Sequence, residues 1–396
     1  TQSRSSAASD VYKRQVLIIG SLGAFFNLYQ LQALYPQLVD RFGTTLSEAG
    51  WLNMASLLGM MITAPITGAM TKHASPSRLL VLGFLALATL NASAAFSTSQ
   101  HWLFILRLGQ GIVIPFLLTS TMKLVSTRPG SLVPLYVTGT IVGSTFSRMY
   151  PAWSVDAIGW ELGFLSSACL MVLSAVTIHF LSDASGAAPA NGFERHQVPQ
   201  QYARQAFADR TLFVAYLAGF ALLFTQSAVF TALGLRLSQE PYLWDSEQIG
   251  TIYLACLPAL FFVLTSRFVR RYMSETALTV SLISLIWVSL WMIGGTSTSI
   301  IVGVALFATG TYMFQTVTTR LLSSSRKVPV AVATGIYLSF YYLGGAIGAS
   351  LAAYAFAASS WNGVVACIAI TQASIFWLVL CVRHSSLMQR TKELRC

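Results

Sequence analysis

The stretch WLFILRLGQGIVIPFLLTSTMKL, residues 102–124, decides the fold class, because it is long and apolar enough to cross a lipid bilayer. A bilayer core of about 30 Å needs about 20 predominantly apolar residues of α-helix. Only two residues of the stretch carry a charge, Arg107 in its interior and Lys123 near its end. The stretch therefore predicts a transmembrane helix that holds one cation inside the bilayer.

Eleven other segments share this length and composition. Six of the twelve precede a long polar stretch, residues 182–210, whose Ala, Pro, Gly and charged residues are typical of a linker. The sequence therefore predicts an all-α integral membrane protein with twelve transmembrane helices in two six-helix bundles, residues 16–181 and 211–382, followed by a tail, residues 383–396. The predicted helices cover residues 16–35, 48–69, 79–96, 102–124, 132–153, 161–181, 211–235, 246–266, 276–293, 299–319, 330–358 and 362–382.

The first residues are set apart, because SSAASDVYKRQ, residues 5–15, matches the translation of a sequencing adapter. We expect residues 1–15 to lie outside the native fold. The alternative is a basic segment ahead of a signal peptide. The apolar stretch that follows is longer than a signal-peptide core and has no small-residue cleavage site, which favours the adapter.

Composition and charge exclude several classes of protein. The chain is 55% hydrophobic and 9% charged, whereas an average globular domain has about 25% charged residues. The net charge of +11 is carried by small groups of basic residues between apolar segments, which does not make a nucleic-acid-binding face. The five cysteines have no metal-ligand or disulfide spacing, and there is no glycine-rich phosphate loop. We therefore expect no nucleic-acid partner, no metal and no cofactor.

The distribution of Lys and Arg predicts the orientation in the membrane, since positive side chains are retained on the cytoplasmic side. Beyond residue 15, nearly all of them lie in the connections after even-numbered helices and in the tail. The connections on the opposite side hold only Arg41 and Arg236. We therefore expect both termini and the linker in the cytoplasm.

The two bundles are internal repeats, because three landmarks of the first recur 201 positions later in the second. These are Tyr136, Gly143 and Trp160, with the counterparts Tyr337, Gly344 and Trp361. Parallel repeats of this kind are related by a pseudo-two-fold axis along the membrane normal, and transporters place their substrate site where such repeats meet. The repeat predicts a site between the bundles.

With these features the chain resembles the major facilitator superfamily over residues 16–382. GTIVGSTFSR, residues 139–148, and YLSFYYLGGAIGAS, residues 337–350, look most like bacterial efflux permeases of the drug or sugar exporter type. GAMTKHASPSR, residues 68–78, stands where that superfamily has a conserved loop motif, and it keeps Gly68 and the basic character at Arg78. Lys72 stands where the superfamily has an acid, so the resemblance implies that the usual contact of that acid is missing here. RLGQG, residues 107–111, is similar to the R-x-x-Q-G motif of proton-coupled exporters.

Arg107 and Arg148 are the only arginines inside predicted spans, where burial of an arginine costs at least about 2.5 kcal/mol. Both are expected in the outer half of the membrane, where they could share one cavity with Gln110. Two alternatives stay open for each arginine: it snorkels to the interface, or it pairs with Glu48, Asp156 or Glu161.

No acidic residue lies at mid-membrane, where proton coupling usually needs a titratable group. Glu48 and Asp156, near the predicted outer rim, are the candidate coupling acids. The alternative is that they cap helices, which is the more frequent role of an acid at a helix end.

Uncharged polar residues are the remaining candidates for the cavity lining, and they suit a hydroxyl-rich or amphiphilic solute. The alternative for each is an interhelical hydrogen bond, worth about 0.6 kcal/mol. These residues are Asn27, Tyr29, Gln30, Gln226, Tyr312, Gln315, Tyr337 and Tyr341. Gly139 with Gly143, and Gly344 with Gly348, are pairs of small residues that allow close helix packing.

The sequence predicts a secondary transporter in the bacterial inner membrane, a monomer that moves a small organic solute by alternating access. Export is the preferred direction, and protons are a candidate coupling ion. The alternatives are a facilitative uniporter or an importer of sugars or organic anions. An integral membrane enzyme is a distant alternative, because clustered catalytic side chains are missing from the sequence.

Overall fold

The computed structural model describes residues 2–71, 74–125, 129–185, 200–321, 328 and 330–393, and within these residues the chain forms helices and no strands. A 3-10 turn, Tyr253–Cys256, separates α9 from α10. The helices are α1 (Gln2–Phe26), α2 (Tyr35–Phe42), α3 (Leu46–Met70), α4 (Pro76–Ala95), α5 (Gln100–Val125), α6 (Pro129–Ser185), α7 (Gln200–Ala208), α8 (Arg210–Leu237), α9 (Ser246–Ile252), α10 (Pro258–Leu264), α11 (Ser266–Tyr272), α12 (Glu275–Ile293), α13 (Ser297–Leu321) and α14 (Val330–Glu393).

Nine helical segments of the described chain are long and apolar enough to span a membrane. The segments in α6 and α14, of 48 and 47 residues, are each long enough for two crossings. α6 turns back at Gly159, whose φ of +84° with ψ of 167° favours glycine, and Gly163 then packs against Val155. α14 turns at Ser359 and Ser360. With α1, this architecture is consistent with the predicted twelve crossings.

Two predicted helices are interrupted in the structure. The predicted helix over residues 16–35 is wrong beyond Phe26, where α1 ends in a series of turns before α2 begins at Tyr35. The predicted helix over residues 246–266 divides at Pro258, since proline has no amide N–H to donate to the preceding turn. The break after Phe26 brings the backbone carbonyls of Asn27 and Leu28 within reach of Arg107 on α5.

The predicted linker is only partly described. Residues 186–199 lie outside the described residues, while α6 extends to Ser185 and α7 occupies Gln200–Ala208. The helices also extend into the predicted terminal segments, because α1 begins at Gln2 and α14 continues to Glu393. The domain boundaries at residues 15, 182, 210 and 383 stay predictions.

The repeated landmarks occupy matching places in the two bundles. The indole Nε1 of Trp160 donates a 3.0 Å hydrogen bond to the carbonyl of Ala94 at the end of α4. The indole of Trp361 donates a 3.2 Å bond to Leu290 in the last turn of α12. Each tryptophan therefore satisfies a backbone carbonyl at the end of a neighbouring helix, and both repeats contain this contact.

The predicted glycine pairs also lie at matching helix contacts. A Cβ built on Gly143 of α6 would lie 2.5 Å from the carbonyl oxygen of Leu22 in α1, and Gly139 packs against Ser21 of the same helix. Gly344 and Gly348 of α14 pack in the same way against the backbone of α8 at Phe220 and Phe224. These contacts let paired helices approach more closely than any side chain would allow.

The two six-helix bundles, called the first and second half below, contact each other at the end of the molecule that carries α2, which we call the α2 end. A Cβ built on Gly234 would lie 2.6 Å from the carbonyl of Gln32, and one on Gly250 would lie 2.7 Å from the Cβ of Ala152. Ser246 donates to the side chain of Gln37 across the same boundary. One hydrophobic core cluster therefore contains residues of both halves at this end.

Candidate functional site

Arg107 lies in α5, buried to 1% exposure, and its guanidinium is directed at the end of α1. Nη1 donates to the carbonyl of Asn27 at 2.8 Å and to Oε1 of Gln110 at 2.6 Å. Nη2 donates to the hydroxyl of Ser56 at 3.1 Å and to the carbonyl of Leu28. Arg107 thus binds the two carbonyls that directly follow the C-terminus of α1, where a cation is favoured by the helix dipole.

An amide network continues from Arg107. Gln110 donates to Oδ1 of Asn91 at 3.2 Å, and Asn91 donates to Oδ1 of Asn27 at 2.7 Å. Asn27 donates in turn to the carbonyl of Gly23 at 2.8 Å. The sequence-predicted residues Arg107, Gln110 and Asn27 are therefore brought together, but their polar groups are mostly satisfied within the first half.

Arg148 lies in α6, buried to 3% exposure, in a different setting. Its Nε donates to Oε1 of Gln32 at 2.6 Å, and Nη1 donates to the carbonyl of Ser144 at 2.6 Å. The guanidinium carbon lies 4.1 Å from the ring centroid of Tyr29 in the first half and 4.6 Å from that of Phe230 in the second. Cation–π contacts from both halves therefore hold Arg148.

A small cavity opens beside Arg148, with room for about one water molecule. The first half contributes two lining residues, Tyr29 and Arg148. The second half contributes four, Gln226, Ser227, Phe230 and Tyr312. Ser144 on α6 and Tyr312 on α13 are hydrogen-bonded at 3.1 Å and join the halves at this level. Of the predicted lining residues, Tyr29, Gln226 and Tyr312 lie here.

The proposed acid partners of the two arginines are engaged elsewhere or lie at the surface. Glu48 accepts bonds from the amide and hydroxyl of Thr45 at the start of α3, as a capping residue does. Glu161 accepts a 2.7 Å bond from Arg41, and Asp156 is exposed. Because neither arginine pairs with these acids and both side chains are buried, the alternatives of acid pairing and of snorkelling are wrong. The coupling role of Glu48 and Asp156 stays a prediction.

The other predicted lining residues are not among those that line this cavity. Tyr337 shares a 3.2 Å bond with Thr318 and stacks on Tyr341. Gln30 is fully buried, and neither its amide nitrogen nor its oxygen has a partner among the described residues. Gln315 is half-buried. The roles of these residues stay predictions.

The loop motif is partly described. Lys72 lies outside the described residues, and Gly68 is part of α3. Arg78 is exposed, and its amide donates to Ser75, the N-cap of α4. The ammonium of Lys123 donates to the carbonyl of Thr71, just after α3 ends. A lysine of α5 therefore holds the helix end that precedes this loop.

Sequence reasoning missed the residues that complete the Arg148 site. Gln32 was overlooked because residues 27–34 were predicted to be regular helix, and Ser227 because a single serine in an apolar run is usually a packing residue. Phe230 and Tyr253 became recognisable only when the two halves were brought together. In this part of α8 the sequence predicts only Gln226 as a lining residue.

Comparisons with known proteins agree with this architecture. The family model described as Major Facilitator Superfamily matches residues 17–349. A Bacillus subtilis (strain 168) protein named uncharacterized MFS-type transporter YybF is 24% identical over 370 residues, which are 89% of each chain. The inner membrane transport protein YnfM of Escherichia coli (strain K12) is 24% identical, over 89% of this chain and 86% of that protein.

A chloramphenicol resistance protein of Streptomyces lividans is 25% identical over 59% of this chain and 58% of its own length. Among solved structures, a bacterial homolog of the human lysosomal transporter Spinster, in an inward-facing and unoccupied conformation, has a TM-score of 0.73. It is 13% identical, and the match covers 94% of this chain and 97% of that one. The nucleoside transporter NupG also has a TM-score of 0.73, with 13% identity over 93% and 99% of the two chains.

Proposed function

Because this chain belongs to the Major Facilitator Superfamily, we propose that it is an efflux permease that moves a small organic solute across the bacterial inner membrane by alternating access. As a member of that family it is a multi-pass membrane transporter rather than an enzyme. The direction of transport, the position of the substrate site and the assignment to the inner membrane are what we propose.

The cavity at Arg148 is the observation that carries the proposal. Its wall is formed by both halves, so it must change shape whenever one half rocks against the other. The α2 end, which the charge distribution predicts to lie outside the cell, is closed by close contact between the halves at Gly234 and Gly250. Closure at one end is a state that any alternating-access transporter passes through, so it is compatible with export.

Two further observations favour export. RLGQG of α5 resembles the motif of proton-coupled exporters, and one relative is named for chloramphenicol resistance. The relative named as an inner membrane transport protein supports the proposed location. Proton antiport is the coupling we propose, with Glu48 and Asp156 as the candidate acids.

The second candidate function is facilitative transport or import by the same fold. It is favoured by the absence of any acidic residue from the wall of the described cavity, since proton coupling usually needs a titratable group inside the membrane. The structural similarity to a nucleoside transporter is compatible with either direction.

Transport into everted membrane vesicles tests the proposal. Vesicles from cells with and without the chain are energised with ATP, which acidifies their interior, and incubated with chloramphenicol, arabinose, hippurate or ethidium. An exporter coupled to protons accumulates at least one of these solutes, and a protonophore abolishes the accumulation. Uptake that only equilibrates and ignores the protonophore would instead support the facilitative transporter.

A further inference from the structure

We propose that the transported solute is an organic anion and that its carboxylate, or a group of like charge and shape, binds to the free edge of Arg148 beside Ser227 and Gln226. This proposal rests on the proposed function, because it assigns a solute class to the same cavity.

The guanidinium of Arg148 has unused hydrogen-bond donors. Nε and Nη1 bind Gln32 and Ser144, while Nη2 makes no hydrogen bond to any described residue. The rings of Tyr29, Phe230 and Tyr253 lie 4.1, 4.6 and 5.0 Å from its central carbon. Because neighbouring rings pack around the guanidinium and two of its nitrogens are engaged, the Nη2 edge is the part left for a ligand.

The charge of Arg148 has no counter-ion among the described residues, although the side chain is buried. Arg107 has no counter-ion among the described residues either, but four hydrogen bonds engage its two terminal nitrogens, and two of these end on the carbonyls of Asn27 and Leu28. Arg148 makes two hydrogen bonds to described residues, one through Nε and one through Nη1. A buried cation without a counter-ion is unfavourable, and an anionic solute would provide the missing charge.

The second half contributes polar groups to the same place. The hydroxyl of Ser227 is buried without a hydrogen-bond partner in the described part of the chain, and Ser227 lines the cavity. The neighbouring Gln226 also lines it and uses its amide nitrogen for Thr311. A carboxylate could accept bonds from Arg148 of one half and Ser227 of the other, so that binding would link the halves.

Purified protein tests the solute class with matched carboxylate and amide pairs. The probes are hippurate with hippuramide, 4-hydroxybenzoate with 4-hydroxybenzamide, and gluconate with gluconamide, and 4-hydroxybenzylamine serves as the cation. We expect at least one carboxylate to raise the melting temperature in a saturable way while its amide and the amine do not. Stabilisation by neutral or cationic probes alone, or by none, would overturn the proposal.

Three variants connect that binding to the site. Arg148→Gln should weaken carboxylate binding about 10-fold to 100-fold, as expected for charge-assisted hydrogen bonds. Ser227→Ala should weaken it several-fold while leaving the arginine in place, which keeps the test valid if Arg148→Gln folds poorly. Arg41→Gln is the matched control, because Arg41 also stacks on aromatic rings but lies at the α2 end away from the cavity. Equal affinities in all variants would place the binding site elsewhere.

The outcomes separate this proposal from the proposed function. A carboxylate that binds through Arg148 but is not moved in everted vesicles would leave the anion site standing and contradict efflux. A neutral solute that Arg148→Gln still exports at the normal rate would support efflux and contradict the anion site.

Discussion

The two arginines inside the membrane have different surroundings, and we infer different roles from them. Arg107 closes the broken end of α1 with bonds to Asn27 and Leu28, whereas Arg148 lies at the cavity between the halves. RLGQG marks Arg107 as the stronger functional candidate in the sequence, but its bonds within the first half indicate that it holds α1 in place. Spacing along the chain could not distinguish the two, because the difference depends on which carbonyls and rings surround each side chain.

Replacement of Arg107 with Ala should therefore reduce stability together with transport. The change leaves the carbonyls of Asn27 and Leu28 and the amide oxygen of Gln110 without their donor, and a buried polar group that loses its hydrogen-bond partner typically costs about 1–3 kcal/mol. Thermal unfolding in detergent measures the effect, with Arg41→Ala as a surface control expected to stay within about 1 kcal/mol. An Arg107→Ala protein of normal stability and normal transport would remove Arg107 from both roles.

Helix contacts through glycine determine how closely α1 and α6 can approach. Gly143→Ala would place a methyl group 2.5 Å from the carbonyl of Leu22, where the backbone must move to make room. We expect lower expression of folded protein and slower transport. Gly335→Ala is the control, since its nearest neighbour would be 3.9 Å away in Pro65. Fluorescence-detected gel filtration measures the yield of folded protein, and vesicle uptake measures transport. Equal yield and equal transport in the two variants would disprove a packing role for Gly143.

Most helices, the two bundles and their repeat could be predicted from the sequence, because span length and the recurrence of Trp160 as Trp361 depend only on local composition and spacing. The end of α1 at Phe26 could not be predicted, since residues 27–34 contain neither the glycine nor the proline that usually marks a break. That break is stabilised by Arg107, which is about 80 positions away in sequence and becomes a neighbour only in the folded bundle.

The orientation of the whole molecule follows from its charges and can be measured with reporter fusions. Alkaline phosphatase fused after Gly43 should be active, because that loop is predicted to lie outside the cytoplasm, while green fluorescent protein fused after Glu393 should fluoresce inside the cell. The reverse pattern, an inactive phosphatase at Gly43, would invert the topology and with it the assignment of the α2 end to the outside.

Closure at the α2 end should be reversible if the halves rock. In a cysteine-free background, oxidised cysteines at Ala152 and Gly250 would join α6 to α9 across the two halves. A Cβ on Gly250 would lie 2.7 Å from that of Ala152, so the helices must separate by about 1 Å to reach the Cβ–Cβ distance of about 3.8 Å that a disulfide needs. We expect oxidation to stop transport and reduction to restore it. Cysteines at Val155 and Gly163, which lie within one hairpin, are the control. Transport by the fully oxidised Ala152–Gly250 pair would exclude opening at this end.

The central claim is that both halves share an anion site built on Arg148, and counterflow uptake into proteoliposomes tests it most directly. Radiolabelled hippurate, 4-hydroxybenzoate and gluconate are offered to vesicles preloaded with the same unlabelled carboxylate. The account predicts that wild type and Arg41→Gln take up at least one of the three, and that Arg148→Gln does so at least about tenfold more slowly. Uptake of none of the three by wild type, or equal uptake by Arg148→Gln, would contradict it.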